Sequence, residues 1–373
     1  MIDINKTYEG EALALLKTFP SGIFNTCVTS PPYWGLRDYG VEGQLGLEKT
    51  PEEYVQKLVT IFREVKRVLK DDGTLWLNLG DSYCGGGVKG NNEGEKQKTN
   101  KGAYWGENDN IAMLKAKING LKPKDLVGIP WMVAFALRAD GWYLRHDIIW
   151  SKTNPMPESV TDRCTKAHEY IFLLSKSRKY YYDAKAIATP YQDKTLTTFG
   201  CEAKGNGDGS GLIKSENWAN DIPVRKPKQW KTPDGWDTSE GSHGTIHKNG
   251  REKGFKGYEH RGPGDKTLTG HSGNYDSEGN LIGDGLANKK SVWTVSTQSF
   301  SEAHFATFPE RLIVDCIKAG CPEGGTVLDP FAGANTTGLV SRKLNRNYVA
   351  LELNPEYIKI GDKRVYNQIG LFL

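Results

Sequence analysis

The sequence predicts an α/β fold, a parallel, helix-covered sheet interrupted by a long insertion of different character. Three observations carry that expectation. At both ends of the 373-residue chain, apolar runs of strand length alternate with stretches of helical period, an order that sets strands side by side beneath helices. Two of the apolar runs stop abruptly in short motifs, Ser30-Pro31-Pro32-Tyr33 and a small-residue turn over residues 329–338. Between them, from about residue 186 to about residue 291, Gly, Asn, Asp, Ser and Lys dominate without a clear period.

Taken in order, residues 4–8 read as a strand and residues 11–19 as a helix. The run over 23–28 reads as a buried strand, ended by Pro31 and Pro32, which lock φ and supply no ladder donor. Residues 52–69 place Tyr54, Val55, Leu58, Val59, Phe62, Val65 and Leu69 on one helical face, with Thr50 as the cap before Pro51. A stop at Asp71-Asp72-Gly73 precedes a buried strand over 73–79. Residues 82–110 form a long loop whose lysines (Lys89, Lys96, Lys98, Lys101) suit phosphate contacts or a solvated surface equally. A helix over 126–139 follows, then strands over 143–150 and 169–174. The second is expected to turn near 175–178 into a hairpin with Tyr180, Tyr181 and Tyr182. Beyond the insertion, order returns at Val292-Trp293. A helix over 309–319 stops at Gly320, and a strand over 326–328 runs into the small-residue turn. A helix through Leu339, Val340 and Leu344 and a strand ending at Glu352 complete the pattern.

Bulk properties narrow the class. A net charge of +4 permits a polyanionic partner without demanding one. Six cysteines (27, 84, 164, 201, 316 and 321) include no Cys-x-x-Cys pair, which argues against both a disulfide framework and a zinc site and fits a reducing cytoplasm. His243 and His247 have no cysteine or acidic partner in pattern, so no metal is expected. Neither a signal pattern nor an 18-residue apolar run is present, so a cytoplasmic protein without a membrane partner is expected.

The two motifs carry the chemistry. At the carboxyl end of its strand, the Ser30 hydroxyl and the Pro31 carbonyl can accept the hydrogens of an exocyclic amine, and Tyr33 offers a face to the ring that bears it. Such an amine is a poor nucleophile because its lone pair is delocalised; acceptors set out of the ring plane favour the pyramidal nitrogen of the transition state. In the second motif, Asp329-Pro330-Phe331-Ala332-Gly333-Ala334-Asn335-Thr336-Thr337-Gly338, small residues let a ligand approach the backbone where a helix begins. Asp329 can take the ammonium of an amino-acid-like ligand. Glu352, about 23 residues on, stands where an acid reaches ribose hydroxyls in nucleotide-binding βαβ units. Pro330 and the missing second glycine argue against a dinucleotide cradle, and no Gly-Lys-Thr follows to make a P-loop.

Together, Thr29-Ser30-Pro31-Pro32-Tyr33-Trp34 and the Leu328-to-Gly338 stretch resemble the S-adenosylmethionine-dependent DNA amino-methyltransferases, in the circularly permuted order of their β class. The resemblance implies a doubly wound, seven-stranded methyltransferase sheet of Rossmann-like type built from residues 1–185 and 292–373. Residues 186–291 would be an inserted target-recognition region. Ser30, Pro31, Pro32 and Tyr33 match the family's catalytic loop, with Tyr33 and Trp34 expected to stack on a flipped base. For the cofactor, Asp329, Phe331, Ala332 and Gly333 match the methionine-end loop, which Asn335, Thr336 and Thr337 continue. Glu352 matches the ribose acid, Phe308 belongs to the segment lining the cofactor pocket, and Glu11 matches the acid facing adenine. Two residues depart from the pattern: Asn335 stands where Gly is usual, and Glu11 where Asp is usual. Asn tolerates the left-handed conformation best among non-glycine residues, so the turn can survive.

Double-stranded DNA is the partner this implies. Basic clusters in the insertion, Lys226, Lys228 and Lys231 around Trp230 and then Arg251, Lys253 and Lys256, are the expected DNA contacts. A cognate restriction endonuclease is a candidate partner, and the protein is expected to be a monomer or homodimer. Ser-Pro-Pro-Tyr goes mainly with cytosine in this family, so the expected product is N4-methylcytosine, with N6-methyladenine as the alternative. A methyltransferase of the same fold acting on RNA or a protein amide is the more distant one. No cysteine lies in a Pro-Cys context, which speaks against carbon-5 methylation.

Overall fold

A computed structural model of the chain describes residues 2–36, 40–84, 120–190, 274–275, 281–282, 286–298 and 308–369. The chain divides into two compact units, Met1–Thr189 together with Ala287–Leu373, and Pro190–Leu286. In the second unit the described residues form a short antiparallel ladder, Asn274–Tyr275 against Leu281–Ile282.

The first unit is built on one sheet. Its strands are β1 (Lys6–Glu9), β2 (Phe24–Thr29), β3 (Leu69–Leu79), β4 (Tyr143–Ser151), β5 (His168–Ser175), β6 (Val292–Thr294), β7 (Thr326–Asp329) and β8 (Asn347–Glu352). They lie in the order β1-β8-β7-β2-β3-β5-β4-β6. Among the described residues the sheet therefore has eight strands where seven were expected; the extra one is β6, paired parallel to the outer edge of β4. All neighbours are parallel except β5, which is antiparallel to both β3 and β4. Strand order reverses between β7 and β2, the switch point where open α/β sheets bind ligands at the carboxyl ends of strands.

Helices α1 (Ala12–Thr18), α2 (Pro51–Val68) and α3 (Ile129–Ala139) cover one face, and α4 (Glu310–Gly320), α5 (Thr336–Lys343) and α6 (Pro355–Ile369) the other. Strand alternation divides the core accordingly: Leu75, Leu77 and Leu79 of β3 face the first cluster, and Trp76 the second. Helix α2 begins as its sequence dictates, with the Thr50 hydroxyl accepting from the Glu53 amide at 3.2 Å and Pro51 in the first turn. It then buries Tyr54, Val55, Leu58, Val59, Ile61, Phe62, Val65 and Val68. At about 1.5–3 kcal/mol for each fully buried large side chain, packing rather than propensity holds this helix. Phe62→Ala would cost about 3–5 kcal/mol.

Two local expectations are corrected. Asp71-Asp72-Gly73 is not a turn between helix and strand. The chain passes from α2 straight into β3, and these residues form an irregularity as the register against β2 shifts from Phe24↔Leu69 to Thr26↔Thr74. No hairpin forms near 175–178 either. Both edges of β5 are taken by β3 and β4, so Tyr180, Tyr181 and Tyr182 find no ladder, and the Tyr181 amide donates instead to the Asp72 carbonyl at 2.9 Å.

Candidate active site

The two motifs meet at the switch point. The Thr29 hydroxyl, at the end of β2, donates to Asp329 Oδ1, at the end of β7, over 2.6 Å and 300 residues of sequence. Asp329 also accepts from the Thr337 hydroxyl at 2.6 Å and from the Phe331 amide at 3.1 Å. With 1% of its surface exposed, it clasps two strand ends and the first turn of α5. Burial pushes its carboxyl above the ordinary value, against the downward pull of those hydrogen bonds. The expected ammonium acceptor is thus already the fastener of the small-residue turn.

The small-residue turn has the conformation its composition requires. Gly333 has φ of 52°, and Asn335, in the left-handed region at φ 52° and ψ 45°, is the N-cap of α5. The Asn335 Oδ1 accepts from the Gly338 amide at 2.9 Å, and its Nδ2 donates to the Thr7 hydroxyl at 3.2 Å. Asparagine therefore replaces glycine without breaking the turn and adds a cap that glycine lacks. Thr336 is buried, and its hydroxyl accepts from Arg364 at 2.8 Å. The Ala332 amide donates to the Leu351 carbonyl at 3.0 Å, tying the loop to β8. Phe331 packs edge-on to Phe62, and Phe308 packs on the cluster that includes Val327 and Val340.

Glu352, at the end of β8, reaches the same turn. Its Oε2 accepts from the Gly333 amide at 2.8 Å and its Oε1 from the Asn354 amide at 2.9 Å, while burial pushes its carboxyl above the ordinary value. Glu11 caps α1, accepting from the Leu13 and Ala14 amides at 2.9 and 2.7 Å. The donor set suits an adenosyl ligand with an amino-acid tail: a strand-end carboxylate for vicinal hydroxyls, a loop whose alanines and Gly333 leave the backbone open, and an aromatic ring beside it.

On the other side of the switch point, the Pro-Pro loop carries its hydroxyls into a polar cluster that sequence reasoning did not find. Tyr33 donates to Glu169 Oε2 at 2.8 Å and accepts from Asn78 Nδ2 at 2.8 Å. The Ser30 hydroxyl donates to the Tyr33 oxygen at 3.4 Å and accepts from Asn78 Nδ2 at 3.3 Å. Lys152 pairs with the other oxygen of Glu169. Burial, and next the Glu169 charge, push the Tyr33 phenol well above its ordinary value, so it stays protonated. The Tyr54 hydroxyl donates to the Pro32 carbonyl at 2.8 Å, fixing the loop to α2, whereas among the described residues no donor reaches the Pro31 carbonyl. Gly80 leaves room for the Tyr33 ring; a Cβ there would lie 2.6 Å from Tyr33 Cε2. Trp34 departs from expectation. It is 3% exposed, inside the core, with its indole donating to the Glu48 carbonyl at 2.9 Å, and is not available to stack on a base. Asn78 and Glu169 carry no motif signature; the available signal was an Asn inside the apolar run of residues 75–79 and an acid where the apolar run of β5 begins.

The expected DNA contacts Lys226, Lys228, Lys231, Arg251, Lys253 and Lys256 lie outside the described residues, as do Lys89, Lys96, Lys98 and Lys101. Among the described residues, no group of His, Cys, Asp and Glu could hold a metal ion, and no helix is long and apolar enough to cross a membrane. The thiols of Cys27 and Cys316 are buried and pushed well up by that burial, which leaves them inert as nucleophiles.

A family model described as DNA methylase matches residues 24–363. Over 361 residues the chain is 38% identical to the type II methyltransferase M.Cfr9I of Citrobacter freundii, covering 97% of this chain and 87% of that protein. It is likewise 38% identical over 360 residues to M.SmaI of Serratia marcescens, covering 96% and 90%. In fold it is similar to the solved PvuII DNA methyltransferase (cytosine-N4-specific), at a TM-score of 0.53 and 16% identity, over 98% of this chain and 92% of that one.

Proposed function

Because this chain belongs to the DNA methylase family, as a type II DNA methyltransferase of its amino-methylating kind, we propose that it methylates the exocyclic N4 amine of a flipped cytosine in duplex DNA. S-adenosylmethionine is the methyl donor; bound, it supplies a methyl group to the attacking amine and leaves as a neutral thioether. Glu352 would accept the ribose hydroxyls. Phe331, Ala332 and Gly333 would form the floor beneath the donor, with the buried Asn335, Thr336 and Thr337 and the Asp329 clasp holding that turn in place. Phe308 would line the pocket and Glu11 face the adenine end. The target amine comes to the facing wall, where the Ser30 hydroxyl and the Pro31 carbonyl accept its hydrogens and the Tyr33 ring lies beside the base.

The observation that supports cytosine is the residue before the two prolines. Ser30 is a neutral hydroxyl, and its proton is committed to Tyr33. It therefore meets the base as an acceptor without a charge of its own, in a loop whose Ser-Pro-Pro-Tyr form goes mainly with cytosine. The inserted region, with its basic clusters, would read the sequence around the target, and a cognate endonuclease would share that sequence. Nucleoside mass spectrometry of DNA from cells expressing the protein tests the base. N4-methylcytosine is expected, and N6-methyladenine in its place would overturn the assignment.

A further inference from the structure

We infer that Glu169 is the terminal acceptor for the proton the target amine loses, reached through the hydroxyls of Ser30 and Tyr33, which makes it a positioning residue of the reaction. The inference rests on the reading that Ser30 and Tyr33 face the target amine, and it extends that reading to residues outside the Pro-Pro loop.

Hydrogen-bond accounting fixes the direction of the chain. Asn78, 5% exposed, points its Nδ2 at three oxygens: Ser30 Oγ, Tyr33 Oη at 2.8 Å and Glu169 Oε2 at 3.1 Å. Turning the amide over would set its oxygen against a carboxylate oxygen, so Nδ2 is held there, as a pure donor. The Tyr33 oxygen therefore accepts from Asn78, and its single proton goes to Glu169, which can only accept. Ser30, between the same amide and the phenol oxygen, accepts from the first and donates to the second. One lone pair of Ser30 remains for the amine. Every bond in the line from Ser30 to Glu169 then points the same way, the arrangement a proton needs to be handed along.

Two lysines stand beside the acceptor. Lys152 pairs with its Oε1, and Lys166, a buried ammonium with no hydrogen-bond partner among the described residues, acts on it from the chain leading into β5. Asp81 and Glu158 face Lys166 in turn. After the amine nitrogen has taken the methyl group it carries a positive charge and one proton too many. That proton passes to Ser30 Oγ as the Ser30 proton passes to the Tyr33 oxygen and the Tyr33 proton to Glu169 Oε2. A neutral methylamino base and a neutral carboxyl group beside Lys152 remain, and the carboxyl later releases its proton to water.

The test compares Glu169→Gln, Tyr33→Phe, the double variant and Glu169→Asp in single-turnover methylation of unmethylated plasmid DNA, from about pH 6.5 to about pH 9. Affinities for S-adenosylmethionine and for DNA are measured alongside. Tyr33→Phe keeps the ring and removes only the hydroxyl, so it serves even if Glu169→Gln unfolds. Glu169→Gln and Tyr33→Phe should each slow transfer about 10²-fold near neutral pH, with a rate that climbs as pH rises and solvent takes over as acceptor. Glu169→Asp should recover part of the loss, both affinities should stay within about twofold, and the double variant should be no slower than the worse single one. A wild-type rate in Glu169→Gln, or losses that multiply in the double variant, would overturn the proton path. The underlying reading fails separately: a wild-type rate in Ser30→Ala would remove Ser30 from the amine. N6-methyladenine as product would change the base and leave the path standing, since both bases present an exocyclic amine.

Discussion

Gly80 sets how far the proposed catalytic wall tolerates a single methyl group. It follows β3 directly, and its backbone is ordinary, so alanine meets no conformational penalty; the only cost is space. A Cβ built there stands 2.6, 3.1 and 3.3 Å from Tyr33 Cε2, Cδ2 and Cζ. Carbon atoms rest at about 3.5–4.0 Å, so the ring must retreat by about 1 Å. It cannot do so freely, because the Tyr33 hydroxyl is held at 2.8 Å by Asn78 and at 2.8 Å by Glu169. Overpacking of this kind costs about 1–3 kcal/mol of stability, and a displacement of about 1 Å at a reacting site costs about 10²-fold in rate. Gly80→Ala should therefore keep its fold and its affinity for S-adenosylmethionine, since the cofactor loop lies across the switch point, and lose about two orders of magnitude in single-turnover methylation. Thermal unfolding, calorimetry and a radiolabelled methyl assay read the three quantities. A rate within about threefold of the parent would show that the position of the Tyr33 ring does not matter, and the account of the catalytic wall would fall with it.

Other perturbations separate the two walls. Glu352→Gln should weaken S-adenosylmethionine binding by more than about 1 kcal/mol without lowering thermal stability at pH 7. Its carboxyl is pushed up by burial, so the stability it contributes is present below the ordinary carboxylate value and lost as pH rises. The amide removes that charge and keeps an oxygen for the Gly333 amide, which offsets the lost bond from the Asn354 amide; a marked fall in melting temperature at pH 7 would contradict this. Asp329→Ala should also weaken S-adenosylmethionine binding by more than about 1 kcal/mol, because the loop loses the clasp to Thr29 and Thr337; unchanged calorimetric affinity would refute it. Ser30→Ala should lower turnover with little loss of donor affinity, since it removes an acceptor felt in the transition state; a rise in the dissociation constant equal to the loss in rate would argue otherwise. Neutralising Lys226, Lys228 and Lys231 should reduce DNA affinity and flatten its salt dependence while leaving donor affinity alone, and an unchanged salt slope in a binding titration would count against DNA contact there.

Sequence by itself determined the elements and the two motifs. Apolar periodicity placed α2 and its Thr50 cap, the prolines at 31 and 32 ended β2, and the small residues at 332–334 announced a turn before α5. Even the left-handed Asn335 was legible, because steric limits on φ are local and belong to the residue. The hairpin at 175–178, the stacking role of Trp34 and the count of seven strands were not, since each depends on which edges and faces other segments already occupy. Only the tertiary structure joined Thr29 to Asp329 and gathered Asn78, Lys152 and Glu169 around Tyr33. Glu169 shows the physical reason. It sits at the beginning of β5, where parallel neighbours would have carried it to the amino end of the sheet, far from Ser30. Because β5 runs antiparallel between β3 and β4, with Tyr170 opposite Leu79, its beginning lies at the carboxyl end of β3, beside Tyr33. Strand direction is decided by pairing across long loops, and no local pattern of residues encodes it.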